Sequence, residues 1–256
     1  MDPATLIGIA LGIGSLLALM IMEGSSPLAI VLLPPLILVF GGTFGAAIAG
    51  SAMADVKKIG AWFKMALLPA KVPPVSDRIA TLVSLAEKAR KEGLLALEAQ
   101  VKDIDDPFLK RGLQMGIDGT DPEELRTVLE GEITAKKGED KVAAKFFTAM
   151  GGYAPTIGII GTVVGLIHVL ENLSSPESLG PLIASAFVAT LWGVLSANLF
   201  WLPTGAKITR ISELQAAQME LLVEGITEIQ AGTSPRAVRQ KLTALVPPSE
   251  VKQEAA

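Results

Sequence analysis

Apolar residues follow two patterns along this chain. In four stretches they run almost unbroken; elsewhere they recur every three or four positions among charges. The unbroken stretches cover residues 4–22, about 28–54, 150–170 and 181–203, and none has an Asp, Glu, Lys or Arg in its interior. Each is close to the roughly 20 residues that a helix needs to cross a bilayer. The second is interrupted by Pro34-Pro35 and Gly41-Gly42. Prolines are tolerated in membrane helices where neighbouring helices or water take up the freed carbonyls. A cleaved signal peptide would open with positive charge, and Met1-Asp2-Pro3 supplies none. Four spans are predicted.

Between the second and third spans the pattern changes to that of amphipathic helices. Ile79, Leu82, Val83, Leu85, Ala86 and Ala89 keep a three-four spacing after Ser76-Asp77, read here as a cap. Gly93 should break or bend that helix, and Leu94 to Leu97 continue its apolar face. Asp106-Pro107 starts another helix, and Asp118-Gly119 ends it. Asp121-Pro122-Glu123-Glu124 is a strong start: an acidic cap, Pro in the first turn, then acids. No Pro follows until Pro155, so one long helix should run into the third span. The fourth should likewise run on past Gly205 through Ile211, Leu214, Met219 and Ile226. Ser234-Pro235 caps a last short helix, and 247–256 reads as a disordered end.

The fold class is therefore all-α: an integral membrane protein with four transmembrane helices, a helical cytoplasmic loop domain, and long helices reaching from the third and fourth spans into the cytoplasm. The predicted segments are a first hairpin (1–54), a cytoplasmic helical domain (55–148), a second hairpin (149–205) and C-terminal helices with a tail (206–256).

Composition supports this and the charges orient it. Half of the 256 residues are hydrophobic and mean hydropathy is +0.49. All 22 Lys and Arg fall within 57–145 and 207–252. The short turns, 23–27 and 171–180, carry Glu23, Glu171 and Glu177 and no basic residue. By the positive-inside rule both turns face outward, and the loop and both termini are cytoplasmic.

The chemistry is sparse. With no Cys there is no disulfide and no thiolate site, and a lone His168 near the outer end of its span is better read as interfacial than as a relay. No Gly-rich phosphate loop appears, because Gly158, Gly161 and Gly165 lie inside a span, where glycine permits close helix approach. Nothing points to an enzyme, a cofactor, a metal centre or nucleic acid. Cation paths through membranes need titratable or coordinating groups at depth, yet no span holds a carboxylate there. Either the chain transports nothing, or a partner helix brings the carboxylate and this chain lines the path. Thr162 and Thr190 sit mid-span. A lone membrane threonine usually returns its proton to its own helix, whereas one on each of two adjacent helices could converge on a site.

Several segments carry a family resemblance: Pro-Thr-Ile-Gly-Ile-Ile-Gly-Thr-Val-Val-Gly-Leu (155–166), Ala-Phe-Val-Ala-Thr-Leu-Trp-Gly (186–193), Ala-Asn-Leu-Phe-Trp-Leu-Pro (197–203), Ala-Arg-Lys-Glu-Gly-Leu-Leu-Ala-Leu-Glu (89–98) and Gly41-Gly42. Together they resemble the flagellar motor stator A subunits, MotA with its relatives PomA and MotP. ExbB and TolQ, which energise other envelope complexes, are similar in the last two spans but have three spans in all, and remain the alternative.

The resemblance implies an inner-membrane complex of five such chains around two copies of a single-span B subunit. That subunit would be MotB- or PomB-like, carrying the ion-binding aspartate. Ion flow would then be coupled to torque on the rotor protein FliG. It places Pro155, Thr162, Thr190 and Pro203 along the ion path facing the partner, and Arg90 and Glu98 against the rotor. Eight positions apart, those two would share a side of one continuous helix. The coupling cation is sodium or proton. Thr162 with Thr190 leans to sodium, although sodium-type members often have consecutive threonines where this chain has Ala189-Thr190.

The orientation is checked by single cysteines. At Ser25 or Ser175 a membrane-impermeant thiol reagent should label intact cells, and at Ser84 only broken ones. The reverse pattern would overturn the topology.

Overall fold

The structure, a computed structural model, describes residues 2–69 and 72–248; its regular elements there are helices. Contacts gather the chain into two units, Met1–Ala70 with Asp140–Arg210, and Lys71–Glu139 with Ile211–Ala256.

The first unit holds the apolar helices. α1 (Pro3–Met22) opens with Pro in its first turn. α2 (Leu33–Ala49) follows a 3-10 turn at Pro27–Ile30. α3 (Met53–Val56) and α4 (Ile59–Leu67) complete the amino-terminal half. α8 (Pro122–Glu171) and α9 (Pro176–Gln230) supply the rest from residue 140 to 210. The chain is a membrane protein. α1, α8 and α9 are long and apolar enough to cross a bilayer.

The second span is shorter than its expected 28–54: α2 holds only Leu33–Ala49, about 25 Å of rise. Pro34 and Pro35 start this helix rather than interrupt it, because residues in a first turn have no N–H bond to lose. The residue before them, Leu32, is extended, and beyond Ala49 the chain leaves the helix at Gly50. The Gly41-Gly42 pair instead stays helical, at the edge of a π-helical segment, Ile37–Gly41. The core of this unit is aromatic. Phe63 stacks edge-on against Phe147 at 5.0 Å, and Trp62 lies 5.5 Å from Phe146.

The second unit contains α5 (Val75–Glu92), α6 (Glu98–Lys102), α7 (Pro107–Ile117), α10 (Pro235–Ala244) and the polar ends of α8 and α9, residues 122–139 and 211–230. Its core joins Leu82, Leu97, Leu109, Leu125, Leu129, Leu222, Ile226 and Leu242, all fully buried. Three starts follow the sequence signals. Asp106 accepts from the N–H groups of Phe108 and Leu109, Asp121 from those of Glu123 and Glu124, and Ser234 from that of Ala237. α5 departs from its expected cap. It begins at Val75 after Pro74, which leaves Ser76 and Asp77 inside the first turn, where the carboxylate complements the helix dipole. Arg126 of α8 pairs with Glu224 of α9 at 2.7 Å, and this hydrogen bond raises the guanidinium further above its usual range. The expected disordered end lies, from Ser249 onward, outside the described residues.

Candidate functional site

α8 and α9 run antiparallel and nearly touch backbone to backbone. A Cβ added at Gly158 would sit 2.8 Å from the Ala189 carbonyl oxygen, and one at Gly193 would sit 2.6 Å from that of Ala154. Gly165 meets Ala186 as closely, with its added Cβ 3.0 Å from Ala186 Cα. Between membrane helices there is little hydrophobic drive, so small residues that bring backbones together supply the dispersion contact that holds them. The glycines that read as packing residues form this seam.

The seam brings the two mid-span threonines together. Their hydroxyls are in direct contact with each other. Thr162 Oγ1 also lies 3.3 Å from the Gly158 carbonyl of its own helix and 3.1 Å from the Ala186 carbonyl of α9. Thr190 Oγ1 reaches back across the seam to Gly158 O at 3.3 Å. Four oxygens thus meet at one place, two hydroxyl and two carbonyl. Each hydroxyl has a single proton and two lone pairs. One hydroxyl donates to the other and the second donates to a carbonyl, which leaves hydroxyl lone pairs that can face one ligand. Oxygen sets of this kind replace the hydration shell of a passing cation. Both threonines are half-buried, so the cluster is not sealed inside the chain.

Pro155 lies two turns before Thr162 within α8, on the same helical face and half-buried. Lacking an N–H, it leaves the Gly151 carbonyl without its ladder donor. Pro203 is exposed and lines a cavity shared with α1, some thirteen residues along α9 from Thr190. The structure therefore brings Thr162 and Thr190 together, leaves Pro155 two turns away on the same face of α8, and sets Pro203 apart.

Arg90 and Glu98 are both exposed, but they do not share one helix. α5 ends at Glu92, Gly93 turns the chain with φ +85°, a 3-10 turn covers Leu94–Leu97, and Glu98 opens α6. A left-handed φ is what glycine alone adopts cheaply, so the eight-residue spacing does not carry over into a common helical face. His168 is exposed at the outer end of α8, 3.4 Å from Glu171.

Sequence reasoning missed one anchor. Trp192 Nε1 donates to the carbonyl oxygen of Ile30 at 2.6 Å. Ile30 ends the 3-10 turn and Leu32 is extended before α2 begins, so no helical ladder reaches this carbonyl, and the indole of α9 meets it instead.

Among known proteins, the MotA/TolQ/ExbB proton channel family matches residues 100–221. Motility protein A of Bacillus subtilis (strain 168) is 34% identical over 247 residues, 96% of this chain and 92% of that protein. Of the solved structures, C. jejuni MotAB contains a chain that superposes with a TM-score of 0.93 at 29% identity, covering 99% of this chain and 100% of that one. A chain of the flagellar MotAB stator complex from Bacillus subtilis gives 0.90 at 34% identity, covering 96% and 97%.

The seam makes a measurable demand. Gly158→Ala puts a methyl against backbone that cannot rotate away, at a cost of about 1–3 kcal/mol. Gly152→Ala, where a Cβ meets nothing within 4 Å, is the control. Thermal unfolding of the purified complexes should separate the two. Equal melting would mean that the helices can part at this point.

Proposed function

The chain belongs to the MotA/TolQ/ExbB proton channel family, and we propose that it is the A-type stator subunit of a flagellar motor. Several copies surround a single-span partner in the bacterial inner membrane, and cation flow between them is coupled to torque on the rotor. It moves an ion and makes or breaks no covalent bond. Relatives named for motility match along almost the whole chain, the charged cytoplasmic loop included, which favours a motor subunit over an ExbB- or TolQ-like energiser.

The observation that carries the reading is the four-oxygen cluster at Thr162 and Thr190 beside a seam that holds no carboxylate. A threonine pair alone cannot carry a proton at physiological pH, since a hydroxyl neither gains nor loses one there. The partner therefore brings the aspartate, and the threonines hold the partly dehydrated ion beside it. Neutral oxygens suit sodium better than a proton, which would go directly to the carboxylate. Sodium is accordingly the proposed coupling ion. Both termini and the 72–139 segment lie on the cytoplasmic side, where Arg90 and Glu98 meet a FliG-type rotor protein. Five copies around two partners is the assembly in view.

Thr162→Val and Thr190→Val keep the shape and remove the hydroxyl. A membrane hydroxyl contact is worth about 0.6–2 kcal/mol, so the sodium concentration for half-maximal speed should rise roughly three- to thirtyfold. Motor speed against sodium at fixed pH, then against pH at fixed sodium, identifies the ion. If neither curve moves in either variant, the path runs elsewhere.

At the rotor face, Arg90→Glu combined with Glu98→Lys should abolish swimming while membrane levels and partner binding stay normal. Each exposed pair is worth under about 1 kcal/mol, so single neutral changes should be tolerated. Normal swimming of the double reversal would remove this surface from the contact.

A further inference from the structure

A cavity of about 410 Å³ opens in the first unit between α1, α4 and α9. It falls within the size range of small-molecule sites, roughly 300–1,000 Å³. Its charged groups and its apolar walls on α1 and α9 differ in depth, with the Asn198 amide among the deeper residues. Asp2, Thr5 and Lys207 stand at the cytoplasmic end, and Ile9, Leu67 and Phe200 form apolar walls. Ile9 lies seven residues further along α1 than Asp2, and Phe200 seven residues back along α9 from Lys207. At 1.5 Å per residue Ile9 and Phe200 sit about 10 Å deeper than the charges.

The charged end is a compact pair. Lys207 Nζ lies 2.9 Å from Asp2 Oδ2 and donates to Thr5 Oγ1 at 2.7 Å, and the Thr5 hydroxyl donates to Asp2 Oδ2 at 3.4 Å. The hydrogen bond from Lys207, acting against partial burial, holds the Asp2 carboxyl below the usual carboxylate range. Lysine carries three donors, and these contacts use two.

We propose that this cavity binds an amine-bearing zwitterionic phospholipid of the cytoplasmic leaflet, with its phosphate on Lys207, its ammonium on Asp2 and the start of its acyl chains over the apolar walls. The charge pattern selects the headgroup. A net anion would meet Asp2, and a trimethylated amine has no N–H to give the carboxylate. The walls select a lipid over a free phosphate, because Ile9 and Phe200 belong to helices that cross the bilayer. The inference needs only the membrane topology and stands apart from the stator reading.

Two variants test it without dismantling the pair together. Gly8 lines the cavity, and a Cβ there meets nothing within 4 Å, so Gly8→Leu fills the space. Asp2→Asn leaves Lys207 unopposed. The assembled complex is exchanged into nanodiscs of equal phosphatidylethanolamine, phosphatidylcholine and phosphatidylglycerol, then released for native mass spectrometry. The wild type should retain phosphatidylethanolamine at least tenfold over phosphatidylcholine, and millimolar inorganic phosphate should not displace it. Gly8→Leu should lose this retention, and Asp2→Asn should shift it to phosphatidylglycerol. Should Gly8→Leu fail to assemble, the selectivity of Asp2→Asn decides. The proposal is overturned by retention without headgroup preference, by displacement with phosphate, by no retained lipid in the wild type, or by unchanged selectivity in Asp2→Asn.

Discussion

A methyl group has no room between α8 and α9 at Gly158, Gly161, Gly165 or Gly193. That closeness decides what the two threonines can reach. A hydroxyl extends only one bond beyond Cβ, so Thr162 can lie 3.1 Å from a carbonyl of the opposite helix only where the backbones nearly touch. Widening the seam by one methyl, about 1.5 Å, would put both crossing contacts outside hydrogen-bond range. Each threonine would then bond only its own helix, as isolated membrane threonines do. Packing and candidate chemistry in this unit share one cause.

Prolines supply the other recurring theme. Pro155 and Pro203 each remove a donor from an apolar helix, and inside a bilayer the carbonyl left behind needs another partner. Where the chain is not helical ahead of α2, the Trp192 indole donates to the Ile30 carbonyl and ties the amino-terminal end of α2 to α9. Near Pro203 the ladder of α9 relaxes into a π-helical segment, Ala197–Trp201. Phe40, in the π-helical segment of α2, lies 6.0 Å from Trp192 and 6.4 Å from Trp201. Irregular backbone at membrane depth is tolerated where protein covers it, and here aromatic rings provide the cover.

What could be read from the sequence was local or periodic. The apolar stretches, the acidic caps at Asp106 and Asp121, and the Ser234 cap all rest on residues within a few positions of each other. So do the stop at Gly93 and the continuation of α8 through the third span. The threonine pair could be found because each is a hydroxyl near the middle of an apolar run, on adjacent spans. What escaped was long-range or set by one backbone angle. Trp192 finds Ile30 across 162 positions and Lys207 finds Thr5 across 202, and single polar contacts of that reach leave no periodicity. Gly93 was legible as a break, but not the φ of +85° that takes Glu98 off the helix of Arg90. Pro34 and Pro35 were read as an interruption because their position within the helix, first turn or middle, depends on where the chain upstream stops being helical.

The energetics separate what can cycle from what must persist. One elementary charge crossing 100 mV of membrane potential releases about 2.3 kcal/mol. A hydroxyl contact to an ion, at about 0.6–2 kcal/mol, and an exposed charge pair at under about 1 kcal/mol both lie below that figure. Under the proposed function such contacts are made and released with each ion. The α8–α9 seam is not, because parting it would expose backbone along Gly158, Gly161 and Gly165 and forfeit every close contact there at once. An ion that binds through a few neutral oxygens is held tightly enough to be positioned and loosely enough to leave.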